Sequence, residues 1–140
     1  MASAFLTRRI TFAAAHRYRR SEWSDEENER VFGLCARPSF HGHSYTCDVT
    51  VRGEIDSRTG FLIDLAELDR VLTIEVRDRF DHRNINLDVP EFAEGKMVPT
   101  GENLARFIFE TVQRALGTRA TLTEVAVAED ATLKCTYSDT

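Results

Sequence analysis

The chain holds four histidines, at positions 16, 41, 43 and 82. Two of them stand one residue apart in Cys35-Ala-Arg-Pro-Ser-Phe-His41-Gly-His43-Ser-Tyr45, six and eight residues after a cysteine. From His43 onward the residues alternate. Tyr45, Cys47, Val49 and Val51 take one parity, and Ser44, Thr46, Asp48, Thr50 and Arg52 the other, which is the pattern of a strand. Side chains at i and i+2 of a strand point the same way, roughly 7 Å apart. Imidazoles so placed can converge on one metal, and imidazole suits zinc, bound at about 2.0 Å. Gly42 lets the backbone pass close between the rings. His16 supplies a third candidate, because Ile10, Phe12, Ala14 and His16 share one parity of an earlier strand. If the two strands pair as antiparallel neighbours, the histidines can meet across the ladder. Three imidazoles without an obvious fourth ligand fit a catalytic zinc with one open position. A structural zinc would need a fourth protein ligand, which Cys35 or Cys47 could supply.

Other residues carry chemistry of their own. Gly33 and Pro38 bracket Cys35 and place it in a loop, where a neighbouring cation favours the thiolate. Asp81 beside His82 reads either as a polar turn or as a carboxylate-supported imidazole, an acid/base unit working near neutral pH. Glu102 falls in the first turn of a helix, where the dipole favours a carboxylate. Glu129 ends an apolar parity that runs through Val125 and Val127. Arg17, Arg19 and Arg20 open a charged stretch next to His16 and could face an anionic substrate.

The elements that must position these residues follow from periodicity. Ala4 to His16 and His43 to Gly53 read as strands. Arg17 to Phe32 reads as a solvated loop in which Ser24 can cap a short helical turn. Asp64 caps a helix running to about Arg79, with Leu65, Leu68, Leu72 and Val76 as its apolar stripe. Phe80 to Pro90 has no clean period and reads as loop. Thr100 caps a second helix, whose stripe is Leu104, Phe107, Ile108, Thr111, Val112 and Ala115 and whose end is Gly117. Val125 to Glu129 and Leu133 to Tyr137 form a hairpin around Asp130-Ala131. The order β-β-α-α-β-β predicts an α+β fold: a four-stranded antiparallel sheet with two helices on one face. Such a sheet has two open edges, and assembly through them would cover them.

Composition narrows the class. An apolar share of 42% and a charged share of 29% over 140 residues suit one domain with a real core. The formal charge of −5 argues against a nucleic-acid partner. No apolar run approaches the roughly 18 residues of a membrane span. The N-terminal stretch carries Arg8 and Arg9 and lacks the apolar segment of a signal peptide. Three unpatterned cysteines read as reduced rather than bridged, so the expected compartment is the cytoplasm.

From about Ile10 to Tyr137 the chain resembles the 6-pyruvoyltetrahydropterin synthase family, which shares its tunnelling fold with the 6-carboxytetrahydropterin synthases. The resemblance lies in Phe12-Ala-Ala-Ala-His16-Arg, in Ser24-Asp-Glu-Glu-Asn28 with Phe32-Gly33, and in Cys35 with five residues before His41-Gly-His43. It continues through Gly53-Glu-Ile-Asp56 with Thr59-Gly60, and through Asp81-His82-Arg-Asn84 with Leu87-Asp-Val-Pro90. The resemblance implies zinc held by His16, His41 and His43, with Cys35 as general base. It implies that Asp81 and His82 complete a proton relay and that Glu129 anchors the pterin ring. Thr100 and Glu102 match a Thr-Thr-Glu substrate-contact segment in which Gly101 replaces the second threonine. The implied substrate is 7,8-dihydroneopterin triphosphate, and the implied product is 6-pyruvoyltetrahydropterin with loss of triphosphate, in a lyase reaction. The implied assembly is a homohexamer of two trimers stacked into a barrel, with active sites between subunits. The carboxy-forming branch, which feeds queuosine and other deazapurines, is the alternative activity. The Cys35 spacing and the Ser24–Gly33 segment favour the pyruvoyl product. A non-catalytic module with a structural zinc is the alternative of another class.

Overall fold

The structure, a computed structural model, describes residues 2–139. Strand β1 (Ala4–His16) and strand β2 (His41–Gly53) pair antiparallel along their whole length, from Ala4 opposite Gly53 to His16 opposite His41. Strand β4 (Thr121–Asp130) continues the sheet on the other side of β2, and β5 (Leu133–Tyr137) folds back on β4 around Ala131 and Thr132. These are the four antiparallel strands that the alternation predicts. A two-residue strand, β3 (Arg83–Asn84), adds to the free edge of β1 in parallel, giving the order β3-β1-β2-β4-β5. It falls in the stretch read as loop, and two residues are too few to show a period of two.

The apolar parities face one core. Ile10, Phe12, Tyr45, Cys47, Val49, Val51, Val125 and Val127 are all buried in it. Helix α2 (Leu65–Leu72) is capped by Asp64, whose side chain accepts from the Ala66 N–H at 3.0 Å. It runs on through a wider turn, Thr73–Arg77, to a last turn at Asp78–Phe80. Leu68, Leu72 and Val76 are buried as their spacing predicts, while Leu65 is 40% exposed and Val71 fills the core instead. Helix α3 (Gly101–Leu116) is capped by Thr100, which accepts from the Asn103 N–H, and stops at Gly117 in a left-handed conformation. The Ser24 cap opens a two-turn helix, α1 (Asp25–Phe32), longer than the short turn read from sequence. Asn28 accounts for the difference. It is buried, accepts from the Arg20 N–H, and donates to the Arg20 and Ser24 carbonyls.

One buried side chain governs where the chain goes after β1. Asn86 accepts from the Arg17 N–H at 2.8 Å and donates to the Arg17 carbonyl at 3.1 Å. The strand thus gains an amide partner one residue past its end, and the side chain at 18 follows that at 16 on the core side. Asn86→Ala leaves both backbone groups of Arg17 without these partners in a part-buried setting. We expect a loss of about 2 kcal/mol, consistent with ~1–3 kcal/mol per unsatisfied group, read as a lower guanidinium unfolding midpoint. An unchanged midpoint would contradict the clamp.

Candidate metal centre and its surrounding residues

The β1–β2 register places the three predicted histidines together. His16 lies directly opposite His41, and Ala14 lies opposite His43, so all three imidazoles rise from the core face at one end of the ladder. Their ring centroids are 4.6 Å (His16–His41), 5.2 Å (His16–His43) and 5.1 Å (His41–His43) apart. One ring nitrogen from each lies within 4.8 Å of the others. Phe40, immediately before His41, holds a left-handed backbone at φ 63°, a conformation that bulky residues rarely adopt.

The donor set fits a metal. His16 is fully buried, and its Nδ1 is 2.8 Å from the Pro99 carbonyl, to which it donates. That hydrogen bond fixes the tautomer and leaves Nε2 as a lone pair. The fully buried Tyr45 hydroxyl stands 3.1 Å from Nδ1 and 3.4 Å from Nε2. Among the described residues, His43 Nε2 is buried with no hydrogen-bond partner. The Glu129 Oε2 lies 3.2 Å from it, but off the direction that a hydrogen bond needs. An orphaned buried ring nitrogen is costly unless something else takes its lone pair. Burial, and then the neighbouring His41 and His43, lower the His16 pKa to about 4, so its ring is neutral and ready to ligate near pH 7. Among the described residues, no cysteine or carboxylate joins the group of three. Cys47 lies in the sheet core opposite Ile10 and Val127, four residues along β2 from His43, or roughly 13 Å.

Cys35 sits on a 3-10 turn (Gly33–Ala36) and is half-buried. Its carbonyl accepts from the Tyr18 N–H at 2.7 Å, which ties the loop to the chain just past β1. Burial, and then the charge of Glu129, push its thiol pKa up. Glu129 comes from the end of β4 on the core parity, with its side chain 14% exposed. So β1, β2, β4 and the Cys35 loop bring His16, His41, His43, Cys35 and Glu129 to one end of the core.

Asp81 and His82 go elsewhere. Asp81 Oδ1 accepts from the Ala13 N–H at 2.9 Å, and this bond, followed by His82, lowers the Asp81 pKa. His82 has φ 59°, contacts Asp81 Oδ2 at 3.0 Å through Nδ1, and leaves its side chain 84% exposed. It lines a shallow groove with Ala13 and Ser44, which carry the outward parity of the sheet. The predicted pair forms, but one chain sets it on the sheet face away from the three histidines. Thr100 spends its hydroxyl capping α3. Glu102 is exposed and accepts from the Cys135 thiol at 3.5 Å. A Cβ at Gly101 would stand 2.8 Å from Cys135 Sγ. That thiol fills the space which a threonine at 101 would need, a coupling with no local trace in the sequence. Of the arginines next to His16, Arg17 pairs with Glu94, Arg19 with Asp25 and Arg20 with Glu22.

With this geometry in place, comparison with known proteins is specific. The family model for 6-pyruvoyl tetrahydropterin synthase matches residues 5–140. The chain is 43% identical over 113 residues to the 6-pyruvoyl tetrahydrobiopterin synthase of Homo sapiens, covering 81% of this chain and 77% of that one. It is 34% identical over 110 residues to the 6-carboxy-5,6,7,8-tetrahydropterin synthase of Bacillus subtilis, covering 75% and 70% of the two chains. The solved 6-pyruvoyl tetrahydropterin synthase of Caenorhabditis elegans superposes with a TM-score of 0.92 at 34% identity, over 100% of this chain and 98% of that one. The chain belongs to the 6-pyruvoyl tetrahydropterin synthase family.

The buried neutral imidazole has a stability consequence in the metal-free protein. In the unfolded chain His16 takes up its proton near pH 6.5, but in the fold only near 4. Between those values unfolding takes up a proton. The stability is therefore fully present above about pH 6.5 and is lost as pH falls towards 4. The slope is up to ~1.4 kcal/mol per pH unit for this one site. Urea titrations of metal-stripped protein across that range should show this decline, and His16→Asn should flatten it. An equal slope in the variant would contradict the assignment.

Proposed function

We propose that the protein is a metal-dependent 6-pyruvoyltetrahydropterin synthase. It would convert 7,8-dihydroneopterin triphosphate to 6-pyruvoyltetrahydropterin with loss of triphosphate, a carbon–oxygen lyase reaction. The observation that carries this reading is the convergence of three imidazoles, one buried nitrogen of which has no hydrogen-bond partner among the described residues, beside an unligated cysteine and a carboxylate. His16, His41 and His43 would hold the ion, for which zinc suits the imidazole set. When bound, it supplies Lewis-acid polarisation of substrate oxygens.

The chain's own residues then divide the work. Glu129 presents two carboxylate oxygens to the paired N–H donors on the pterin edge, a bidentate contact that fixes ring orientation. Cys35 takes a proton from the side-chain carbon. Its thiol is held high by burial and by Glu129, so it acts as a base only when positive charge gathers nearby. His82, supported by Asp81, returns protons. Because one chain places that pair on the outward face, we assign the relay to a boundary between subunits. The open sheet edges and the family resemblance favour a homohexamer built from two trimers. Thr100 holds the segment from which Glu102 reaches the substrate. No external redox cofactor is required, since the rearrangement is internal.

The substrate is a small anionic pterin rather than a nucleic acid, and no described helix is long and apolar enough to cross a membrane. The three free thiols fit the reducing cytoplasm. A 6-carboxytetrahydropterin synthase activity on the same substrate is the second reading, favoured by the likeness to the Bacillus subtilis protein. The five-residue spacing from Cys35 to His41 favours the pyruvoyl product. A structural-zinc module is disfavoured, because no fourth ligand joins the three histidines among the described residues.

Incubation of metal-loaded protein with 7,8-dihydroneopterin triphosphate, followed by mass analysis, should give the pyruvoyl product. A carboxy product with released acetaldehyde would overturn the choice. Cys35→Ala should keep its full metal content and fold while turnover falls by about 10²-fold or more, the scale of a general base. Loss of metal in that variant would instead make Cys35 a ligand.

A further inference from the structure

Tyr18 is assigned no part in the chemistry above, yet it contacts His16, Glu129 and the Cys35 loop. Two residues past His16, it stays on the core side because Asn86 holds Arg17 between them. Its N–H donates to the Cys35 carbonyl. Its ring meets His16 edge-on at 5.0 Å and packs on Phe32 at 5.8 Å. Its hydroxyl donates to Glu129 Oε1 at 3.4 Å.

The last contact decides the role. Without Tyr18, no hydrogen bond among the described residues fixes the Glu129 carboxylate about its terminal bond, because His43 Nε2 offers Oε2 closeness but no hydrogen-bond direction. The Tyr18 hydroxyl is the one side-chain hydrogen bond that Glu129 receives among the described residues. A carboxylate oxygen has two lone pairs, so Oε1 can keep Tyr18 and still accept from a ligand. We propose that Tyr18 is a positioning residue that sets the plane of the Glu129 carboxylate for paired N–H donors on the pterin ring. This rests on the reading of Glu129 as the pterin anchor. Phenylalanine at 18 would preserve the ring contacts and remove only the donor.

Fluorescence titration of the metal-loaded full chain with neopterin tests this. Tyr18→Phe should weaken neopterin binding about five- to tenfold, the scale of one ordinary hydrogen bond, since this one is long at 3.4 Å, with metal content and melting temperature unchanged. In turnover the loss should sit in KM rather than kcat. Glu129→Gln should weaken binding further, and adding Tyr18→Phe to it should cost nothing more. Wild-type affinity in Tyr18→Phe, or independent losses in the double variant, would overturn the proposal. So would a Tyr18→Phe protein that loses metal or melts early, since the residue would then be a structural brace. If Glu129→Gln binds like wild type, the anchor reading fails and Tyr18 falls with it. If only Tyr18→Phe is silent, the anchor stands and this inference alone is wrong.

Discussion

The register of one strand pair is the constraint on which the rest depends. His16 is the last residue of β1 and His41 the first of β2, and the ladder sets them face to face. Side-chain parity in a strand has a period of two, so a slip of one residue would send both β2 histidines to the outward face. The slip is prevented far from the site. The same register buries Tyr45, Cys47, Val49 and Val51 in the core, and exchanging them for Ser44, Thr46 and Asp48 would put polar groups where the helices pack. The three-histidine cluster therefore inherits its precision from ordinary hydrophobic burial.

Electrostatics at the centre follow from that placement. Burial keeps His16 neutral, and the Pro99 carbonyl fixes which nitrogen carries the proton. The same burial raises the Cys35 and Tyr18 pKa values, and the negative charge of Glu129 adds to both. A site with a neutral His16 ring, a protonated thiol and an adjacent carboxylate has a deficit of positive charge. A divalent cation would correct that deficit and favour the ionised thiol at once.

Much of this was legible in the sequence because it depends on period and parity. The strands around His16 and His43, the capped helices at Asp64 and Thr100, and the terminal hairpin all announced themselves that way. The three histidines shared the parity of buried residues, which made their convergence readable. What stayed hidden depends on contacts between distant residues. Asn86 looked like loop polarity, although it clamps Arg17. Tyr18 lies in a charged stretch without periodicity, and nothing local to Cys135 signals its closeness to Gly101. Asp81 and His82 were readable as a pair. Their position on the outward face was not, because β3 is too short to show a pattern. The backbone strain at Phe40 left no sequence signal either.

The central claim is that three imidazoles hold one ion while Cys35 stays off it. X-ray absorption at the zinc edge of the loaded protein tests that claim directly. The account predicts a first shell of nitrogen and oxygen scatterers near 2.0 Å, three of them imidazole, with no sulfur. A sulfur scatterer at about 2.3 Å would place a cysteine on the ion and contradict it.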